Sequence, residues 1–194
     1  YSNVLDMDLI DQHGDQLNWV QLSRNQSLPW SESFIERYTD KWDWNLLSRN
    51  ESLPWSEELL ERYADKWNWR LSGSSLGLTL NKSLPWSESF IERYADKWDW
   101  SLLSFNDSLP LSEALIDRFA DKWVWWHLSG NKSLPLSEEL IERYKDKWEW
   151  WGLSANNSLP WSKAFIKRYK DKWDWKRLSC NDSFPWSESF IERF

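Results

Sequence analysis

The side chains that could support catalysis in this chain are few and widely separated. Its two histidines, His13 and His127, lie far apart in sequence, and neither stands in a metal-binding motif. A Ser-His-Asp triad requires a base beside a nucleophile, and nothing in the sequence suggests such a grouping. There is also no glycine-rich phosphate loop. We therefore expect a protein that is not an enzyme and that uses no cofactor and no metal ion.

Paired carboxylates and a single thiol are the other candidates for chemistry. Glu32 and Glu36 could resemble the two carboxylates of a glycosidase. Such acids recur in most of the repeats described below, which is typical of a solvent-exposed face and not of one active site. Cys180 is the only cysteine, so the chain has no internal disulfide and no cysteine metal cluster.

Asn-x-Ser triplets stand at the junctions between repeats, beginning with Asn25, Asn50 and Asn81. Each is formally an acceptor for N-glycosylation. The triplet also suits a structural role, because Asn can end a helix and Ser can form the turn before the next proline. We favour the structural role and keep glycosylation as the alternative.

A proline that recurs every 25 residues shows how the chain is organised. One step is longer, at 31 residues, and the prolines are Pro29, Pro54, Pro85, Pro110, Pro135, Pro160 and Pro185. A fixed period in this range is the signature of a stacked repeat protein, in which each repeat contacts only its neighbours. We predict an all-α solenoid of stacked short helix pairs that forms a single elongated domain over residues 1–194.

The predicted repeats cover the ranges 4–28, 29–53, 54–84, 85–109, 110–134, 135–159 and 160–184, with part of one more at 185–194. The first repeat has no proline and is degenerate, as expected near the end of an array. The chain starts without Met and stops within a repeat. We therefore interpret it as part of a longer array.

The first helix of a repeat, called helix A, is predicted from its N-terminal signals. Ser31 is a suitable N-cap, and Glu32 places a negative charge in the first turn, where the helix dipole favours it. Trp30 and Ile35 have the spacing of a hydrophobic staple. We predict helix A over residues 32–39.

A second helix, called helix B, is predicted to follow at once. Asp40 resembles an N-cap, with Asp43 three residues later in a position like that of a capping box. We predict helix B over residues 41–48, ended by Asn50 in the left-handed conformation. A single helix over residues 32–48 is the alternative.

The longer step contains six additional residues between Trp69 and Asn81. Its glycines and serines indicate a loop, and the alternation of Leu76, Leu78 and Leu80 suggests a short extended piece. The loop is interpreted either as a tolerated surface bulge or as a specific contact loop, since long loops in compact arrays are often functional.

Tryptophan dominates the composition, with 20 residues in 194. Helices this short are marginal in isolation, so we expect the recurring Trp pair to supply a packed core. An arginine also recurs, and we expect it to stack on these rings or to pair with acids at the Asp40 position. These arginines are Arg37, Arg62, Arg93, Arg118, Arg143 and Arg168.

The net charge of −7 argues against nucleic acid as a partner, because phosphate binding needs a basic surface. No apolar run approaches the roughly 20 residues of a membrane span, so we expect no membrane association. One stretch, residues 160–177, is locally basic, with seven Lys and Arg against two acids. We expect a solvated face there, with an acidic partner as the alternative. The sequence does not indicate a compartment.

The string DKWDW, followed by LSxN and then LPWS, resembles Trp-rich tandem helical repeats predicted in bacterial and giant-virus proteins. The resemblance covers nearly the whole chain at the level of these motifs. It implies a repeat scaffold, and no established activity accompanies such repeats.

The positions equivalent to Asn45, Leu46 and Arg49 vary most among the repeats, and we call them the variable face. On a helical wheel they lie together, away from the recurring residues that should pack. They hold large aromatic or basic side chains in later repeats, and the predicted binding residues are Phe105, Trp126, His127, Trp151, Lys176 and Arg177. The alternative is that these rings fold back to fill gaps left by Leu111 and Leu136.

These observations predict a non-catalytic binding or scaffold protein with a protein or peptide partner. Phe105, Trp126 and Trp151 would form an apolar strip that leads to the basic repeat. Two alternatives stay open. One is a structural array that assembles with itself into a filament, and the other is a glycan-binding protein that uses exposed tryptophans.

Overall fold

The computed structural model of the protein describes residues 7–70 and 77–188. Within these ranges the secondary structure consists of thirteen short α-helices and one 3-10 helix, without strands. The all-α prediction is therefore confirmed for the described residues. The chain divides into two compact units, Tyr1–Asp99 and Trp100–Phe194.

The helices of the first unit are α1 Met7–His13, α2 Trp19–Arg24, α3 Glu32–Arg37, α4 Trp44–Leu47, α5 Glu57–Arg62, the 3-10 helix Leu78–Leu80 and α6 Glu88–Arg93. Those of the second unit are α7 Trp100–Leu103, α8 Glu113–Arg118, α9 Trp125–Leu128, α10 Glu138–Arg143, α11 Trp150–Ser154, α12 Lys163–Arg168 and α13 Trp175–Leu178. Helices of six residues that end in arginine, from α3 onward, are the A helices, and the shorter ones that begin with Trp are the B helices.

Helix A begins as the sequence predicts. The Ser31 hydroxyl accepts a hydrogen bond from the backbone N–H of Phe34 at 3.2 Å, which confirms Ser31 as the N-cap. Phe34 and Ile35 are buried and form the apolar side of the helix. The helix ends at Arg37, two residues before the predicted end, and turns follow it.

Helix B begins later than predicted, at Trp44. Its N-cap is Asp43, whose carboxylate accepts from the backbone N–H of Leu46 at 3.1 Å, so the assignment of Asp40 as the cap is wrong. A single helix over residues 32–48 is also wrong, because turns interrupt the segment between Arg37 and Trp44.

The burial of Trp42 explains this break. Its ring is 5 % exposed, and its Nε1–H donates to the carbonyl oxygen of Ile35 in helix A at 3.0 Å. The intervening turn folds the ring back against helix A. A continuous helix would keep Trp42 and Ile35 apart along one helix axis. The chain turns between them because the turn allows the ring to be buried against helix A.

Aromatic rings contact one another across the boundaries between adjacent repeats, beside a core of buried Leu, Ile, Phe and Trp side chains. The ring of Trp44 lies 4.9 Å from Tyr63 and 4.7 Å from Trp67, both in the following repeat. Trp55 then contacts Trp67 from within that repeat, at 4.9 Å. Such tilted and edge-on ring pairs each contribute about 0.5–1.5 kcal/mol beyond the burial of their area. The stability of one repeat therefore depends on the next.

A buried serine joins adjacent repeats by hydrogen bonds. The Ser48 hydroxyl donates to the carbonyl oxygen of Trp44 at 2.7 Å and accepts from the backbone N–H of Asn68 at 2.9 Å. Ser104 makes the equivalent pair in the second unit, to the carbonyl oxygen of Trp100 at 2.6 Å and from the N–H of Val124 at 3.0 Å.

The asparagine that follows each B helix has a related role. The side-chain amide of Asn50 donates to the carbonyl oxygens of Ser23 at 3.1 Å and Asn25 at 3.3 Å, in the preceding repeat. The left-handed conformation is predicted for Asn50; at the equivalent Asn25 and Asn81 the backbone is extended, with φ of −73° and −72°. An extended backbone directs the amide into the preceding repeat.

This arrangement bears on glycosylation as well. An acceptor asparagine needs a side-chain amide that is accessible from solvent. Six of the triplet asparagines are buried: Asn50, Asn81, Asn106, Asn131, Asn156 and Asn181. The folded protein therefore favours the structural role of the triplet, and Asn25 is the exposed exception.

The longer repeat keeps this hydrogen-bonding pattern. The predicted glycine- and serine-rich loop falls on residues 71–76, which lie outside the described residues. Leu78–Leu80 is a 3-10 helix, so the extended piece is wrong there. Thr79 takes the place of the serine, because its hydroxyl donates to the carbonyl oxygen of Trp69 at 2.6 Å and accepts from the N–H of Asp99 at 3.4 Å.

Acids of the preceding A helix pair with the recurring arginines Arg62, Arg93, Arg143 and Arg168. Arg62 lies 3.4 Å from a carboxylate oxygen of Glu32 and 3.8 Å from one of Glu36, so the proposed carboxylate pair is engaged by this arginine. Arg143 pairs in the same way with Glu113 and Asp117. The expected partner, the acid at the Asp40 position, is therefore wrong for these two arginines.

The expected stacking on tryptophan is made by lysines. Lys66 lies 5.5 Å from the ring centre of Trp44, and Lys147 lies 5.4 Å from that of Trp125. All of these ion pairs and cation contacts are at the surface, where each contributes about 1 kcal/mol or less.

Candidate functional site

The six predicted binding residues all lie in the second unit, on or just after successive B helices. Phe105 follows α7, Trp126 and His127 belong to α9, Trp151 belongs to α11, and Lys176 and Arg177 belong to α13. Because the repeat places equivalent positions beside one another, residues far apart in sequence meet on one face.

Five of the six form a continuous series of contacts, which we call the aromatic row: Phe105, His127, Trp126, Trp151 and Arg177. The Phe105 and His127 rings are 4.1 Å apart, and His127 and Trp126 are 4.7 Å apart. Trp126 and Trp151 are nearly parallel, at 9°, with centres 6.2 Å apart. The guanidinium carbon of Arg177 lies 3.6 Å from the centre of the Trp151 ring. Lys176 is exposed beside this end of the row.

The rings of the row are open to solvent. Phe105 is 53 % exposed, Trp126 54 % and Trp151 45 %. They do not fold back into the repeats that carry Leu111 and Leu136, and both leucines are themselves buried. The gap-filling alternative is therefore wrong, and these rings are available to a ligand.

Trp126 and Trp151 occupy positions of the repeat where the chain has no other tryptophan. Every other Trp of the 20 occupies one of three repeated positions: the first of the pair, the second of the pair, or the position after proline. The first of the pair is buried throughout, as in Trp98 at 1 % exposure. Trp126 and Trp151 thus belong to none of the positions that build the core.

His127 is held in place by Ser101 of the preceding repeat. Its Nδ1 lies 2.8 Å from the carbonyl oxygen of Ser101 and 3.2 Å from the hydroxyl of the same residue. A carbonyl oxygen can only accept, so Nδ1 carries the proton and donates. This contact fixes the imidazole between Phe105 and Trp126 and makes the row rigid at its centre.

Gly152 is a positioning residue that the sequence analysis missed. A Cβ atom at this position would lie 2.9 Å from the Cβ of Ser129 and 3.2 Å from the backbone nitrogen of Gly130. The glycine lets α11 approach the end of α9 closely, directly beside Trp151. The signal that could have revealed it is a glycine where other repeats have Leu46 or Leu102.

The two helices that carry the exposed tryptophans begin without a side-chain cap. Val124 precedes α9 and Glu149 precedes α11, and neither makes a capping hydrogen bond, whereas Asp43 and Asp174 cap their helices. An N-cap is worth about 1 kcal/mol. Local rules of stability are broken most often at functional sites, so the missing caps support a functional role for this face.

The charge on this face differs from that of the chain. In the second unit the variable positions are Ser101, Leu102, Phe105, Trp126, His127, Gly130, Trp151, Gly152, Ala155, Lys176, Arg177 and Cys180. None of them is Asp or Glu, although the chain has 31 of these residues. The Arg177 guanidinium makes no hydrogen bond and no ion pair with any residue that the structure describes, whereas Arg143 on the A-helix side pairs with two acids.

Comparisons with known proteins add no further assignment. No protein-family model, no curated protein and no solved structure matches this chain. Across residues 7–70 and 77–188, no helix has the length and apolar character needed to cross a membrane. The same residues contain no group of three or more His, Cys, Asp or Glu side chains that could hold a metal ion.

Proposed function

We propose that this chain is a non-catalytic binding protein, built as a solenoid of stacked helix pairs, that recognises a protein or peptide through the aromatic row. The observation that carries the proposal is the half-exposure of Phe105, Trp126 and Trp151 in one continuous series of ring contacts. The solenoid is supported by the serine and asparagine hydrogen bonds, which join each repeat to its neighbour within both units.

The energetics of the row suit recognition. A tryptophan has roughly 200 Å² of surface, so a half-exposed ring offers on the order of 100 Å² to a partner. At about 25 cal/mol per Å², covering one such ring gives about 2.5 kcal/mol before the costs of association. Because neighbouring rings already hold Trp126 and Trp151, little side-chain entropy is lost on binding. Trp and Arg are also the residues most often found at the energetic centre of interfaces.

The test is a selection of binding peptides from a random library displayed on phage. The double variant Trp126→Ser, Trp151→Ser should enrich no common sequence, while the wild type should enrich one. Val20→Ser is the matched control, since Val20 is the second residue of α2, as Trp126 is of α9, and is also exposed. Unfolding of all three proteins is measured in parallel. Unchanged peptide enrichment by the double variant, together with lost stability, would refute the proposal.

Glycan binding is the second candidate. The observation that favours it is the nearly parallel pair Trp126 and Trp151, because sugar rings pack on exposed indole faces. A glycan array probed with the wild type and with the same double variant tests it. Signal that depends on both tryptophans would support glycan binding over peptide binding.

A further inference from the structure

We infer that the ligand of the aromatic row is an extended acidic peptide segment, whose carboxylate is bound by Arg177 while apolar side chains cover Trp126 and Phe105. This inference rests on the proposed function and specifies the partner's chemistry. It follows from three features of the site: the availability of the Arg177 guanidinium, the charge of the variable face and the length of the aromatic row.

Arg177 is prepared to bind an anion. Its guanidinium carbon is 3.6 Å from the centre of the Trp151 ring, so the ring supports the cation from one side. The five N–H donors of a guanidinium point outward around its edge in a fixed geometry that matches a carboxylate. Asp174, the acid that precedes this helix, accepts from the backbone N–H of Arg177 at 3.0 Å and serves as the helix cap. The guanidinium donors have no partner among the described residues.

The charge of the face selects for an acidic ligand. The variable positions of the second unit carry Lys176 and Arg177 and no carboxylate. On the A-helix side, by contrast, acids and arginines pair with each other, as Arg143 does with Glu113 and Asp117. An anion that approaches the row therefore meets two cations and no competing carboxylate at the variable positions, which favours its encounter and its orientation.

The length of the row fits a short extended segment. The successive separations from Phe105 to Arg177 limit the row to about 19 Å, and an extended chain covers about 3.3 Å per residue, so roughly six residues reach along it. Apolar side chains at one end of the segment would lie on Phe105 and Trp126. Acidic side chains at the other end would meet Arg177 and Lys176.

The experiment measures binding of synthetic hexapeptides to the full chain by quenching of tryptophan fluorescence. Each peptide has three apolar residues at one end and three aspartates at the other, in both chain directions, and matched peptides carry asparagine in place of aspartate. We expect the aspartate peptide in one direction to bind at least about tenfold more tightly than its asparagine match, because charge-assisted hydrogen bonds are roughly twice as strong as neutral ones.

Two arginine variants separate this site from general charge effects. Arg177→Gln should weaken binding of the aspartate peptide at least about tenfold and leave the asparagine peptide unchanged. Arg143→Gln is the matched control, since it removes an equal charge from the A-helix side and should not change binding. The Arg177 side chain makes no hydrogen bond and no ion pair with described residues, and its backbone bond to Asp174 is kept in the variant. Unfolding measurements on both variants check that the fold is unchanged.

The outcomes distinguish the inference from the proposed function. Equal binding of the aspartate and asparagine peptides, lost in the Trp126→Ser, Trp151→Ser variant, would overturn the carboxylate site and leave the row as a recognition surface. No binding by any hexapeptide would overturn the inference, while the phage selection would still decide the function. Arg177-dependent binding of oligo(dT) or of phosphatidylserine vesicles without peptide binding would overturn it in favour of nucleic acid or membrane.

Discussion

Replacing Asn131 with alanine should destabilise the protein far more than the loss of an ordinary polar side chain. Asn131 is 1 % exposed. Its amide nitrogen donates to the carbonyl oxygens of Ser104 at 3.0 Å and Asn106 at 3.2 Å in the preceding repeat, and its side-chain oxygen accepts from the N–H of Ser133 at 2.8 Å. The substitution removes all three bonds and supplies no replacement partner.

The expected cost follows from the groups left behind. A buried polar group without a partner costs about 1–3 kcal/mol, whereas an ordinary hydrogen bond contributes about 0.5–1.5 kcal/mol. Ser104 is fully buried, so its carbonyl oxygen bears the larger cost. The Asn106 oxygen keeps a long bond from the N–H of Leu109, at 3.4 Å, and Ser133 is only half-buried. We therefore expect the free energy of unfolding to fall by about 2–4 kcal/mol.

The assay is equilibrium denaturation followed by tryptophan fluorescence and far-UV circular dichroism. Asn25→Ala is the matched control, because Asn25 holds the same repeat position but is exposed, and its side chain accepts only from the N–H of Ser27 at 2.8 Å. Its loss should cost about 0.5–1.5 kcal/mol. Asn131→Asp keeps the shape and the acceptor but removes both donors, so it should be at least as damaging as alanine.

Equal costs for Asn131→Ala and Asn25→Ala, to within about 0.5 kcal/mol, would refute the reasoning. The buried side-chain amide of Asn131 would then contribute no more to stability than the exposed side chain of Asn25. Wild-type stability of Asn131→Asp would refute it independently, because the donated bonds would not matter.

Three further outcomes are expected. Trp98→Ala should cost about 3–5 kcal/mol, since the ring is 1 % exposed, whereas Trp126→Ala should cost below about 1 kcal/mol; parallel denaturation of both variants checks the contrast. Gly152→Ala should destabilise, although alanine in a helix is normally about 1 kcal/mol better than glycine, because the new Cβ would lie 2.9 Å from a side-chain carbon; a stabilised variant would contradict the close approach. Burial, and then the hydrogen bond to Glu142, raise the pKa of Tyr169 to about 12 from its ordinary 10.0. Its contribution to stability is therefore complete below about pH 10 and lost as the pH rises through about 12. Burial also raises the pKa of Tyr94 and Tyr144, so ultraviolet titration should show a late component that loses the contribution of one tyrosine in Tyr169→Phe and shifts in part to lower pH in Glu142→Gln.

Local signals in the sequence predicted much of the fold correctly. Ser31 is the N-cap of helix A, as its position before Glu32 indicated. The variable positions are exposed at Asn45 and Arg49, as their variation suggested, while Leu46 is buried. These predictions succeeded because each depends on residues within one or two turns of one another.

Predictions failed where a tertiary contact decided between residues that the sequence pattern treats alike. Asp40 and Asp43 are both acceptable caps by type, and the choice of Asp43 follows from the need to bury Trp42 against helix A. Arg62 was assigned to rings or to an acid at the Asp40 position, yet it pairs with Glu32, because the A helices of adjacent repeats lie side by side. Arg62 and Glu32 are separated by more than a full repeat, so no local pattern indicates that they pair.

The candidate site shows the same division. The sequence by itself determined the period, the all-α class and the positions where Phe105, Trp126 and Trp151 break the pattern. Only the tertiary structure decided that these rings are exposed, that His127 joins two of them and that Arg177 lies on the last. The physical reason is that exposure and stacking depend on how closely one repeat approaches the next. That distance depends on contacts across the repeat boundary, such as the one that Gly152 permits.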